Sequence, residues 1–271
     1  MHTYKPSKTV KEQVEYLESN KRVVFNEISK KEAEEILLKY NYINVITPYK
    51  HRFAKKYKNE VIKGSNGNHI YERDVDFKEY YDLYINERNK YPIIAANILA
   101  FETKFKAIIS NIILTKNDLS DSDKLIHFLD KLKIQITINS SYNEERLEKM
   151  NKNIDNLKNA INDYADIYCF FDHLSLGVLL TVYAGLVPDQ QKDIHRELKA
   201  RNLHFGVDNI NDYIDKVFTI VSIRNTVMHC NSLEILVRFY NTKDKSLRSP
   251  NNRRKYKNLI ESLSKEKTRI K

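Results

Sequence analysis

Tryptophan is absent from the 271 residues, glycine and proline number five each, and there are two cysteines. So few turn-forming residues leave little room for the hairpins of an all-β chain, and the abundance of Lys, Glu, Leu and Ile favours helix. Cys169 and Cys230 stand in no metal-ligand spacing, so no disulfide and no cysteine-held metal is expected. No apolar run approaches the about 20 residues needed to span a bilayer, and the opening MHTYKPSKTVKEQ lacks the apolar centre of a signal peptide. The expectation is an all-α cytoplasmic protein with reduced thiols, no membrane partner, no metal and no cofactor.

What is present is positive charge. Lys and Arg total 46 against 36 Asp and Glu, giving a net charge of +10. Such an excess favours a polyanionic partner, nucleic acid above all, although a bias toward Lys, Asn, Ile and Tyr also arises from AT-rich coding. The stretch YKHRFAKKYK offers Lys50, His51, Arg52, Lys55 and Lys56 to phosphates and its rings to bases, while a solvated loop or helix end would have the same composition. Arg196 and Arg201, with His195 and His204, form a second basic group that an exposed helix and its end explain equally well.

Periodicity divides the chain. Ser29 and Glu32 form a capping-box pattern opening a helix through Tyr40, with Ile36 and Leu37 on its apolar face. Lys63 to His69, KGSNGNH, reads as a loop, and a helix is expected from about Asp74 to Arg88. From Pro92 the apolar positions Ile94, Ile98, Phe101, Phe105, Ile108 and Ile112 recur at spacings of three and four, the stripe of a long core helix. Further helices are expected over Asp121–Leu132, Asn143–Tyr164 (solvent-facing or partner-packing), Asp172–Leu186, Pro188–Ala200, Asn209–Cys230 and Arg253–Lys267. KIQITINSS, residues 133–141, reads as a short strand or a connector. The organisation expected is a helical, basic extension over residues 1–90, a helical core over 91–240 and a basic tail over 241–271.

One residue breaks the pattern. Relative to Arg224, the side chains of Tyr213, Val217, Ile220 and Met228 all fall within about 40° around a helix axis, so Arg224 stands in the middle of an apolar stripe. A guanidinium there is costly unless it is paired or lines a cleft. Two readings follow: a buried ion pair, with Glu102 as a carboxylate to hand, or a cleft in which Arg224 meets a phosphate. His229, five residues on, lies about 140° round from Arg224 in an undistorted helix, so either the helix ends near it or a second subunit brings the two functions together. Asn225, about 100° round, is placed to bridge them. Glu102 and Lys106, four apart, are neighbours on the long helix and read either as an intrahelical pair or as supports of the site.

RNTVMH, Arg224 to His229, resembles the arginine, polar residue, three variable residues, histidine motif of HEPN-superfamily ribonucleases. FETKFK, Phe101 to Lys106, resembles the Glu-x3-Lys/Arg feature of that superfamily's first core helix, and FDHLSLGVLLTVYAGL, Phe171 to Leu186, is similar to the mid-chain block of the Abi abortive-infection family (AbiD/AbiF-like, Abi_2). Together they cover roughly residues 20–240 in the family's order, with Leu176 standing where the family has an aromatic residue and Lys106 where it more often has arginine. The resemblance implies a HEPN-type helical bundle and a toxin-like, metal-independent endoribonuclease of phage defence. It implies a composite catalytic site of Arg224, Asn225 and His229 formed by a homodimer, with Glu102 and Lys106 in support. RNA is then the substrate, and a small inhibitory RNA or a second protein restrains the toxin. The alternative from another class is a non-catalytic RNA-binding module in which the same residues grip phosphate or hold the core.

Overall fold

The computed structural model describes residues 7–58, 60–64, 69–138, 142–164, 166–239 and 250–265. Its helices are α1 (Val10–Lys21), α2 (Lys30–Tyr40), α3 (Tyr42–Val45), α4 (Lys50–Phe53), α5 (Phe77–Arg88), α6 (Tyr91–Lys116), α7 (Ser122–Ile138), α8 (Glu144–Asn159), α9 (Ile167–Asp172), α10 (Leu176–Gly185), α11 (Pro188–Ala200), α12 (Ile210–Met228), α13 (Leu233–Phe239) and α14 (Pro250–Leu263). The strands are four two-residue pieces, β1 (Val23–Val24), β2 (Lys56–Tyr57), β3 (Glu60–Val61) and β4 (Val75–Asp76). The fold class is all-α, as the composition predicts.

The chain forms two compact units, one within Met1–Ile94 and Thr226–Glu266, the other within Ala95–Asn225. In the first, β1 pairs in parallel with β4, Val23 opposite Val75, and β2 pairs antiparallel with β3. Val14, Leu17, Leu37, Ile46, Tyr49, Phe77 and Tyr80 form its core. The capping box of Ser29 and Glu32 is present in both directions, and the same arrangement at Thr9 and Glu12 opens α1, a helix the periodicity reading passed over. The helix expected from Asp74 begins later, because Val75 and Asp76 are held in β4 and the Asp76 side chain caps α5 by accepting from the Lys78 N–H. Glu87, at the end of α5, caps α13: its carboxylate accepts the N–H groups of Leu233 and Glu234, each at 3.0 Å.

In the second unit α7, α8 and α10 pack on one another, and α6 meets α10 and α12 through rings, with Phe105 6.1 Å from Tyr183 and 6.4 Å from Tyr213. Two expectations are corrected here, a strand or connector at 133–141 and a single helix over Asp172–Leu186. Residues 133–138 of KIQITINSS continue α7, since Leu132 and Ile136 share its buried face at helical spacing; residues 139–141 lie outside the described part. The Asp172–Leu186 segment is two helices, interrupted at His173–Ser175, where Ser175 accepts from the Val178 N–H and caps α10. The apolar seam of α8 is internal, with Met150, Ile154 and Leu157 buried. Of the expected loop 63–69 the described ends are joined by a bridge between Lys63 and His69, and residues 65–68 lie outside the described part. The last helix starts at Pro250, in the first-turn position that proline suits, and residues 266–271 of the expected Arg253–Lys267 stretch and beyond are not described.

Candidate functional site

Arg224 is placed by α12, whose buried face is Tyr213, Ile214, Val217, Ile220 and Ile223. Glu102 is placed by α6, beside the buried stripe of Ile98, Phe101 and Phe105. The two meet: Arg224 Nε donates to Glu102 Oε2 at 3.2 Å, with the arginine side chain 28% exposed and the glutamate 11%. The other oxygen, Oε1, accepts the N–H of Leu176 at 3.1 Å. Leu176 is the first residue of α10, where unsatisfied N–H groups and the helix dipole favour a carboxylate. One glutamate therefore joins three helices, and both of its oxygens are used.

The contact to Arg224 is single rather than forked. It engages Nε, and Nη1 is turned toward Asn225 Oδ1 at 3.4 Å. Glu102 thus fixes the guanidinium by one edge without occupying the parallel pair of terminal donors that suits a phosphate. Of the two readings of Arg224, the ion pair is present, and the arginine is not fully enclosed by it.

α12 ends before His229. The N–H of Cys230 donates to Val227 O at 3.1 Å and that of Asn231 to Thr226 O at 2.8 Å, with Cys230 left-handed at φ 51°. These two bonds are a Schellman closure in which His229 is the C-cap and Cys230 takes the place usually held by glycine. The expectation that the helix ends near His229 is met, and both Asn225 and His229 are exposed.

Other candidates are distributed more widely. Lys106 does not pair with Glu102 along the helix; its ammonium donates to the main-chain carbonyl of Asp172. His51 Nε2 lies 2.9 Å from Glu234 and Arg52 2.5 Å from the same carboxylate, so both are engaged within the first unit. Burial raises the Glu234 carboxyl, but the hydrogen bonds from His51 and Arg52 and the guanidinium charge outweigh it and leave the pKa at about 2. Lys50 lies over the Tyr42 ring at 4.9 Å, and Lys55 and Lys56 are exposed beside and in β2. Arg196 pairs with Asp193 at 2.8 Å and Arg201 with Glu197. His173, expected at a helix start, instead caps the C-terminus of α9. His195 is 8% exposed with neither ring nitrogen hydrogen-bonded, and burial above all holds its pKa below the usual imidazole value. Among the described residues no three His, Cys, Asp or Glu side chains are gathered to hold a metal ion, and no helix is long and apolar enough to cross a membrane.

Two features were not read from the sequence. Arg88 lies over the rings of Tyr84 and Tyr91, at 5.1 and 4.7 Å, with its Nε and Nη1 buried and without hydrogen-bond partners. A groove of about 600 Å³ opens between α6 and α9, with Glu102, Lys106, Tyr168 and Asp172 on its walls. The groove depends on contacts between segments that no local pattern links, whereas the Tyr84, Arg88, Tyr91 spacing is local and its signal was passed over.

No curated protein and no solved structure matches this chain. A sequence profile of the family described as Abi-like protein (Abi_2) does, over residues 35–233, a span that takes in Glu102, the α9–α10 interruption, Arg224 and His229. With well over half of its length matched in this way, the chain belongs to the Abi-like family of abortive-infection proteins.

Proposed function

We propose that this protein is a metal-independent endoribonuclease of the HEPN type, cleaving RNA through Arg224, Asn225 and His229. The observation that carries the reading is the way Arg224 is held: on an apolar helical face, gripped by one edge by a carboxylate that is itself anchored to a helix N-terminus.

RNA cleavage of this kind needs a base, an acid and a cation. An imidazole, whose ordinary titration lies near neutral pH, suits the first two roles. The ring of His229 takes the proton of the ribose 2′-hydroxyl, and O2′ attacks the adjacent phosphorus. The P–O5′ bond breaks, and the leaving O5′ takes a proton from a second imidazole, the same residue of a second copy of the chain. Arg224 donates to the non-bridging oxygens as their charge builds. Asn225 orients His229 or adds a donor to the phosphate, and Glu102 is a positioning residue that acts through Arg224. The products are a 2′,3′-cyclic phosphate and a free 5′-hydroxyl. Lys50, Lys55, Lys56, Arg196 and Arg201 contribute positive charge along the RNA, and a small RNA or a second protein restrains the enzyme.

The test is cleavage of total RNA by purified wild-type protein and by His229→Ala, with the product ends identified. A loss of about 10² to 10⁴ in rate is expected. Equal degradation by both proteins refutes the assignment. The Arg224–Glu102 pair also suits a second reading, an RNA-binding module with no catalysis, which predicts salt-dependent RNA binding without cleavage by either protein. A single-chain mass in solution at full activity would exclude the two-copy site.

A further inference from the structure

The groove between α6 and α9 is not part of the Arg-x4-His machinery, yet it shares a wall with it, because Glu102 lines it and also holds Arg224. On α6, Leu99, Glu102, Lys106 and Ser110 follow one another at spacings of three and four and so share one helical face. Facing them, α9 supplies Tyr168 and Asp172.

Three properties of this groove are unexplained by folding. Tyr168 is 70% exposed and Leu99 46%, so an aromatic and an aliphatic side chain stand open to water on its lining. Ser110, also on the lining, has a buried Oγ with no hydrogen-bond partner, so this wall keeps a polar atom that the fold leaves unsatisfied. Lys106 spends one proton of its ammonium on the Asp172 carbonyl, and an ammonium has three. A cavity of about 600 Å³ is within the range of small-molecule sites.

We propose that this groove is a nucleotide subsite that takes an unpaired base of the RNA next to the cleaved bond, stacked on Tyr168, with its phosphate near Lys106. The inference rests on the ribonuclease reading for its substrate. Apolar walls and an exposed ring suit the face of a base, which stacks regardless of sequence. The Asp172 carboxylate adds selectivity: ionised, it only accepts hydrogen bonds, so it favours a base edge rich in donors. Guanine presents two N–H groups side by side and is the preferred occupant.

Because the chain contains no tryptophan, Tyr168→Trp places its one indole in this groove. The measurement is indole emission as each of the four nucleoside 5′-monophosphates, and then a short single-stranded RNA, is added to Tyr168→Trp and to Tyr168→Trp/Asp172→Asn in a His229→Ala background. Saturable quenching is expected, strongest with guanosine monophosphate, and the preference for guanosine should vanish with Asp172→Asn. Tyr168→Ala should weaken RNA binding by about tenfold, the loss of one base–aromatic stack. Emission that ignores all five ligands, or that changes only with protein concentration and so reports a self-association face, overturns the proposal. The quenching measurement itself reads no cleavage, so quenching by RNA together with a wild type inactive in the cleavage assay would sink the ribonuclease reading and leave the groove standing as a base-binding subsite of an RNA-binding protein.

Discussion

Replacing Glu102 by alanine tests the joint that holds Arg224. The carboxylate accepts from Arg224 Nε at 3.2 Å and from the Leu176 N–H at 3.1 Å, and Leu176 is fully buried. Leaving that N–H without a partner costs about 1–3 kcal/mol. Breaking an enclosed ion pair by removing one partner costs about 3–5 kcal/mol, but the arginine side chain is 28% exposed and water screens it, so about 1–2 kcal/mol is the appropriate share. The sum, about 2–5 kcal/mol, lowers the melting temperature by roughly 4–20 °C at about 2–4 °C per kcal/mol. Arg224→Met in the same protein removes the charge that was stranded, so Glu102→Ala/Arg224→Met should recover about 1–2 kcal/mol relative to the sum of the single changes. Denaturant unfolding followed by two spectroscopic probes is the assay, because two compact units require a check that one transition is seen. If the double variant equals the sum of the singles within about 0.5 kcal/mol, Arg224 and Glu102 are not coupled and the account of the site fails.

Further outcomes follow from other contacts. Glu234 has a folded pKa of about 2 against an ordinary 4.5, so it contributes stability that is present above pH 4.5 and lost as pH falls toward 2; in Glu234→Gln this part of the acid unfolding curve should disappear. The pKa of His195 is also depressed, so the folded state resists its protonation and stability declines as pH falls below about 6.5; His195→Phe should flatten that decline in a melting series. A Cβ at Gly185 would lie 2.9 Å from the Leu132 carbonyl and 3.0 Å from its Cβ, so Gly185→Ala should destabilise by about 1–3 kcal/mol, and unchanged stability would mean that α10 does not approach α7 so closely.

The long helices were legible because α6 and α12 each carry an apolar stripe at helical spacing, and Arg224 was conspicuous because it interrupts one of them. Glu102 was identifiable as a possible partner, though not that its second oxygen would anchor α10, since nothing local relates residue 102 to residue 176. α1 was missed although Thr9 and Glu12 present the same capping pattern that was recognised at Ser29 and Glu32. The end of α7 was misread because KIQITI alternates like a strand; Ile134 and Ile138 are 56% and 68% exposed, while Leu132 and Ile136 are buried. Alternating apolar residues there serve two sides of one helix, a case in which burial separates what composition does not. His51 and Arg52 look like RNA contacts in a basic run, and it takes the fold to bring Glu234 to them from the far end of the chain.

That long reach has a temporal consequence. Synthesis proceeds from the amino terminus, and domains complete themselves as their residues emerge. The described part of the second unit, Ala95–Asn225, is one unbroken stretch that is all present once residue 225 is out, whereas Glu87 must wait for Leu233 and Glu234 before its carboxylate caps α13. The part of the protein made first is therefore finished last, and a ribosome that stalls between α12 and α13 releases a chain whose later half has matured while its opening half is still exposed to chaperones and proteases.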